Sequence, residues 1–153
     1  MKKLTHTDER GGARMVDVGE KPIVSRMAVA EGWIRINPQA LRAVRHFKMK
    51  KGDVLTVAQI AGIQAAKHVA DLIPLCHPLT LEHTEVRLSF CPGGVKCRST
   101  IHSRGKTGVE MEALAAVSAA LLTVYDMCKA VDKKMCIKEI CLLEKKKGEV
   151  ARG

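Results

Sequence analysis

Asp126 and Lys129 close a stretch that is otherwise apolar: the thirteen residues from Ala113 to Tyr125 carry no charge. A bilayer crossing needs ~20 apolar residues, so the run is too short to span one and reads as a core helix. At about 3.6 residues per turn, Ala115, Ala119, Leu122, Asp126 and Lys129 fall on one stripe, and an acid and an amine extend an apolar line. Charges so placed face a site or a partner. Lys51, ahead of Gly52-Asp53, offers a second amine. A lysine that takes up protons near neutrality must bring its pKa down from ~10.4 towards 7. Burial or a second cation does this, whereas Asp126 alone works the other way. Two lysines in one pocket, one neutral as base and one charged as acid, reconcile these demands. The plain alternative is a helix-surface ion pair with a solvated Lys51 nearby.

Glu110 and Glu112 begin the same helix. Helix-dipole complementarity accounts for them, and so does a sharper role in which a carboxylate accepts the paired N–H donors of a guanine or pterin. Gly105-Lys106-Thr107 just before them imitates the end of a phosphate-binding loop, but the first glycine of that motif would fall on Thr100. Two carboxylates at the helix start would also repel a phosphate, which excludes Walker-type hydrolysis. In Leu72–Leu79, LIPLCHPL, Pro74 and Pro78 stiffen the chain around Cys76 and His77. Adjacent residues seldom face one another in extended chain, so a Cys76–His77 nucleophile pair is disfavoured. His77 is either a structural histidine or a hydrogen-bond donor to phosphate. Cys76, His77, His83, Cys91, Cys97 and His102 lack paired zinc-ligand spacing.

The elements that must hold these groups follow from periodicity. Residues 1–22 form an irregular, polar arm with an early HTDE cluster and no readable signal peptide or membrane anchor. A strand is expected over Ile23–Ile36, interrupted near Gly32, then a short helix over Pro38–Phe47 with proline in its first turn. Asp53 is placed to cap a long helix reaching about Leu72, thinned by Ala58, Ala61, Gly62, Ala65 and Ala66. Glu82–Phe90 and Val95–Ser103 alternate about a CPGG turn and form a hairpin. The helix from Val109 follows, then a closing strand over Cys136–Leu143 and a basic tail over 144–153. The chain is read as one domain over 1–153, α+β, with the split β-α-β pattern of ferredoxin-like folds: a four-stranded antiparallel sheet with helices on one face. Both long helices are apolar on too many sides to leave one wet, which predicts a homo-oligomer.

Six cysteines without a C-x-x-C pair or secretory signal read as reduced thiols in a cytoplasmic setting. The net charge of +10 asks for an anionic partner, yet only 3% of residues are aromatic, and single-strand binders need stacking platforms. A basic RNA-binding module is therefore the weaker alternative, and a nucleoside polyphosphate suits the charge as well. An assembly scaffold without a ligand is the third possibility.

LTHTDERGGARMVDV, KGDVLTVAQIAGIQAAK, DLIPLCHPL, KTGVEMEALAAVSAALLTVYDMCKA and the closing strand together resemble the cyclic pyranopterin monophosphate synthase family, from about Leu4 to Leu143. The resemblance implies a metal-free, cofactor-free lyase of molybdenum cofactor biosynthesis. It would convert a 3′,8-cyclised dihydro-GTP, supplied by a radical S-adenosylmethionine partner enzyme, into cyclic pyranopterin monophosphate and pyrophosphate. It also implies a ferredoxin-like fold in a hexamer of dimers with sites at subunit interfaces. By motif, Lys51, Asp126 and Lys129 become the acid–base group; Leu75, Cys76, His77, Met111 and Glu112, with Glu110 nearby, become substrate-binding positions; Arg26 and Lys67 become candidate phosphate contacts. The chain departs from the family at Val69, where a hydroxyl residue is usual, and at 145–149, where KKKGE replaces a Gly-rich Lys-Ser segment.

Overall fold

A computed structural model of the chain describes residues 11–148; the HTDE cluster and the last five residues of the basic tail lie outside the described residues. The elements run β1 (Val24–Arg35), α1 (Pro38–Arg45), α2 (Val54–Lys67), α3 (Val69–Leu72), β2 (Leu81–Cys91), β3 (Gly94–Gly105), α4 (Glu110–Cys128) and β4 (Cys136–Gly148). The strands form one antiparallel sheet in the order β2-β3-β1-β4. This is the ferredoxin-like α+β arrangement expected from the element order.

Local chemistry sets the boundaries. Asn37 Oδ1 accepts from Ala40 N at 2.8 Å with Pro38 in the first turn, and Asp53 Oδ1 accepts from Leu55 N and Thr56 N, so α1 and α2 begin with side-chain caps. The β2–β3 hairpin turns at Pro92-Gly93, where Gly93 has φ +75, a conformation that side chains disfavour. Along β3, Val95, Cys97, Ser99 and Ile101 are buried while Lys96, Arg98 and Arg104 are exposed, so only one face meets the helices.

α2 and α4 pack closely because Gly62 presents no side chain: a Cβ there would lie 2.8 Å from the Ala116 carbonyl. Buried Ser99 donates to the Ala113 carbonyl at 2.8 Å and pins the start of α4 to β3. The core face of α4 comprises Ala113, Ala116, Val117, Ala120, Leu121 and Val124. Full burial of a residue such as Leu121 stabilises by about 1.5–3 kcal/mol. Among the described residues α4 is long and apolar enough to cross a membrane, but half of it is buried inside the fold.

Four expectations need correction. The helix expected to reach Leu72 ends at Lys67; His68, at φ −118 and ψ 20, breaks it, and α3 restarts as a single turn. β1 runs unbroken through Gly32, and the irregularity lies in β4, whose pairing shifts between the partners of Glu31 and Trp33. There Ile140, Val117 and Leu121 occupy the space a side chain at residue 32 would need. β4 continues to Gly148, so residues 144–148 of the expected tail are strand. Finally, the stripe through Leu122, Asp126 and Lys129 is the outward one. Leu122 is 59% exposed, because the alanine-rich stripe fits the close approach to α2 and the sheet.

Candidate active site

The three groups singled out first do meet. Lys51 Nζ lies 2.7 Å from Asp126 Oδ2, and Lys129 Nζ lies 2.7 Å from Asp126 Oδ1, so one carboxylate bridges two ammonium groups. Lys51 also donates to the Asp126 backbone carbonyl at 3.3 Å. Asp126 and Lys129 come together through helical spacing at the end of α4. Lys51 arrives from the loop just before the Asp53 cap, which α2's packing on α4 carries to the same end. The lysines hold the Asp126 carboxyl at about 2, and Asp126 in return raises the Lys129 amine. The side chains are 52%, 54% and 58% exposed for Lys51, Asp126 and Lys129. The cluster is thus assembled, but the chain alone does not dry it, and a neutral lysine requires a further cation or the exclusion of water.

The other sequence-derived positions gather at the opposite end of α4. Leu75, Cys76, His77, Glu110, Met111 and Glu112 line a cavity of about 440 Å³. Glu112 is only 4% exposed. Burial pushes its carboxyl up, the charge of Glu110 adds to this, and a hydrogen bond from its own backbone N–H opposes it. Glu110 is instead ion-paired, with Lys145 Nζ 3.3 Å from Oε1. The Glu110 carboxylate folds back against Gly108, two residues before the helix begins. Burial and then the Glu112 charge raise the Cys76 thiol, which suits an apolar contact better than a thiolate nucleophile.

His77 Nε2 is 2.7 Å from the Val16 carbonyl. A carbonyl only accepts, so Nε2 carries a proton, and Nδ1 is the nitrogen left for a ligand; it donates there only as imidazolium. Val16 with Val18 and Lys21 forms a wall of the cavity, so the arm contributes to it. Fourteen residues separate Glu112 from Asp126, or ~21 Å along α4 at 1.5 Å per residue. The cavity and the amine–carboxylate cluster of one chain are therefore far apart.

The family profile described as the MoaC family matches residues 15–148. The chain belongs to the MoaC family. It is similar to the cyclic pyranopterin monophosphate synthase of Novosphingobium aromaticivorans, 55% identical over 97% of this chain and 95% of that protein. It is also similar to cyclic pyranopterin monophosphate synthase 1 of Mycobacterium tuberculosis, 56% identical over 95% of this chain and 86% of the relative. The Roseiflexus sp. protein of the same name is 55% identical over 97% and 95%. As a MoaC-family member the protein is an enzyme, a lyase of molybdenum cofactor biosynthesis.

Two positions stand apart in this MoaC chain. Arg26 directs its guanidinium to the carbonyls of Gly105 and Lys106, at 3.5 and 3.2 Å, and so holds the loop before α4. Lys67 ends α2, exposed and outside the cavity lining. Conversely, the Val16 carbonyl, Lys21 and Lys145 enter the site without being singled out from sequence. A backbone carbonyl leaves no mark in a sequence. The only available hint for Lys145 was its departure from the family's usual tail.

Proposed function

We propose that this protein is a cyclic pyranopterin monophosphate synthase. It takes 3′,8-cyclised 7,8-dihydro-GTP to cyclic pyranopterin monophosphate with release of pyrophosphate. The reading rests above all on Lys51, Asp126 and Lys129 meeting about one carboxylate, in a chain whose relatives bear that enzyme's name. In this reading the chemistry is a series of proton transfers: opening of the purine-derived ring, closure of the pterin ring, and attack of a ribose hydroxyl on the α-phosphorus. In the last step the new P–O bond forms as the bond to the β-phosphate oxygen breaks, and pyrophosphate leaves. Lys51 and Lys129 exchange protons with the reacting atoms while Asp126 orients both amines. Glu112 accepts N–H donors of the guanine-derived head, with Leu75, Cys76 and Met111 beside it and Glu110 nearby. His77, Arg26 and Lys67 serve the phosphate end.

Because cavity and amine cluster lie ~21 Å apart on one chain, a complete site takes its halves from two copies. The homo-oligomer, a hexamer of dimers in the cytoplasm, would place them together. Val57 and Ile60 on α2 and Leu122 on α4 are 41%, 55% and 59% exposed, and this apolar face supports such an assembly. Covering the cluster with a second copy would expel water and favour an amine that can lose its proton. A radical S-adenosylmethionine enzyme would supply the cyclised nucleotide. The decisive experiment supplies that nucleotide to the purified protein and follows pyrophosphate and a pterin-like product. Folded protein that yields neither would defeat the assignment.

A further inference from the structure

On the sheet face turned away from the helices, Arg87 of β2 and Arg98 of β3 are directly opposed partners. Like charges set opposite each other destabilise an antiparallel pair, so this placement asks for a counter-charge. The protein supplies only part of it. Glu85 Oε1 is 2.7 Å from Arg87 Nη2, and Glu31 is shared: Oε1 lies 3.0 Å from Lys96 Nζ and Oε2 lies 3.7 Å from Arg98 Nη1. Three cations thus face two carboxylates, and the Arg98 guanidinium stands beyond hydrogen-bonding distance of its acid. Glu31, Arg87, Lys96 and Arg98, with Ser89 and with Gln59 reaching from α2 around the β2 edge, line a cavity of about 390 Å³. It shares no lining residue with the cavity at the start of α4.

We propose that Arg87, Arg98 and Lys96 form a second anion site that takes a phosphate or diphosphate group, whether free or at the end of a nucleotide. A guanidinium fork matches phosphate oxygens two at a time, Lys96 adds a point charge, and the Ser89 hydroxyl adds a donor. Occupancy relieves the repulsion between the two arginines. The site is independent of the catalytic reading above.

Trp33, the chain's only tryptophan, is the β1 partner of Lys96 and reports on this face by fluorescence. The intact protein is titrated at constant ionic strength with inorganic phosphate, pyrophosphate and GTP. Pyrophosphate is expected to give a saturable change with Kd below about 1 mM. Phosphate saturating too points to the free anion as ligand, and GTP saturating as tightly as pyrophosphate points to a nucleotide's tail. The R87Q/R98Q double variant should weaken the pyrophosphate midpoint by tenfold or more, about 1.4 kcal/mol. Glu31→Gln, which frees Lys96 and Arg98, should tighten it, and His77→Ala should leave it unchanged. Absence of saturation by pyrophosphate, an unaltered midpoint in the double variant, or no tightening in Glu31→Gln would overturn the site. So would a changed sedimentation coefficient in R87Q/R98Q, which would make the arginine pair a contact between copies.

Discussion

Glu112 and Asp126 stand at opposite ends of one helix, and their surroundings push them in opposite directions. The helix dipole alone would favour a charged Glu112 near the N-terminus and disfavour a charged Asp126 near the C-terminus. The reverse holds. Burial raises the Glu112 carboxyl, while two ammonium groups hold Asp126 at about 2. A dipole worth a fraction of a charge is overridden by burial at one end and by two full charges at the other. The division of labour follows. In the proposed reading Asp126, held ionised by the two ammonium groups, orients the amines and does not itself carry protons. In the same reading Glu112, buried and with its carboxyl raised, is the receptor for N–H donors.

The most severe way to test this division is to remove an amine. Lys51→Ala and Lys129→Ala should each lower turnover of the cyclised nucleotide by about 10²–10⁴-fold, the usual contribution of a positioned acid or base. Circular dichroism and sedimentation should be unchanged, because within one chain both side chains lie outside the core and the apolar face of Val57, Ile60 and Leu122, not these amines, carries the proposed assembly. Either variant turning over at the wild-type rate would remove that lysine from the acid–base group.

At the other end, Glu112→Gln should weaken binding of the guanine-derived head roughly tenfold to hundredfold, the loss of a hydrogen-bonded charge. GTP titration by calorimetry measures it. An unchanged affinity would show that the buried carboxyl does not contact the head, and the comparison would lose its binding end.

The two ends differed in how readably the sequence announced them. Asp126 and Lys129 lie one turn apart on a charge-free run, and Asp53 precedes a helix, so local periodicity sufficed. Alternation in β2 and β3 is equally local. Lys51 meets Asp126 across 75 residues, and no spacing rule reports that; the need for a second amine made Lys51 a candidate, and resemblance to the family assigned it to the group. Periodicity left the buried face of α4 undecided, since the helix is apolar on several sides and tight packing against Gly62 made the choice. The break at His68 has neither Gly nor Pro to signal it. The bulge opposite Gly32 depends on Ile140, more than a hundred residues further along the chain.

A milder perturbation acts on the scaffold near the amine end. Asp53 Oδ1 accepts from Leu55 N at 3.1 Å and Thr56 N at 3.3 Å. Asp53→Ala should cost about 1 kcal/mol, the usual loss for a cap, and lower Tm by roughly 2–4 °C for a chain of this size. Because Lys51 sits two residues before the cap, turnover should fall further than substrate affinity. A variant that loses affinity but keeps turnover would show that the cap does not position Lys51.

The smallest effect is also the most discriminating. Asp126 moves from its ordinary 3.8 to about 2 on folding, so it contributes stability that is present above pH 3.8 and lost as pH falls through about 2. The Tm advantage of wild type over Asp126→Asn should therefore be flat near neutrality and shrink on acidification between about pH 4 and 2. Glu112 moves upward from 4.5 because of burial. Its contribution is complete below 4.5 and is lost as pH rises through the raised value, so wild type should lose ground to Glu112→Gln as alkali is added. Thermal unfolding of the three proteins across this range would give two lines of opposite slope from one helix. Slopes of the same sign would mean that a common property of the helix, not burial at one end and paired amines at the other, sets both carboxyls.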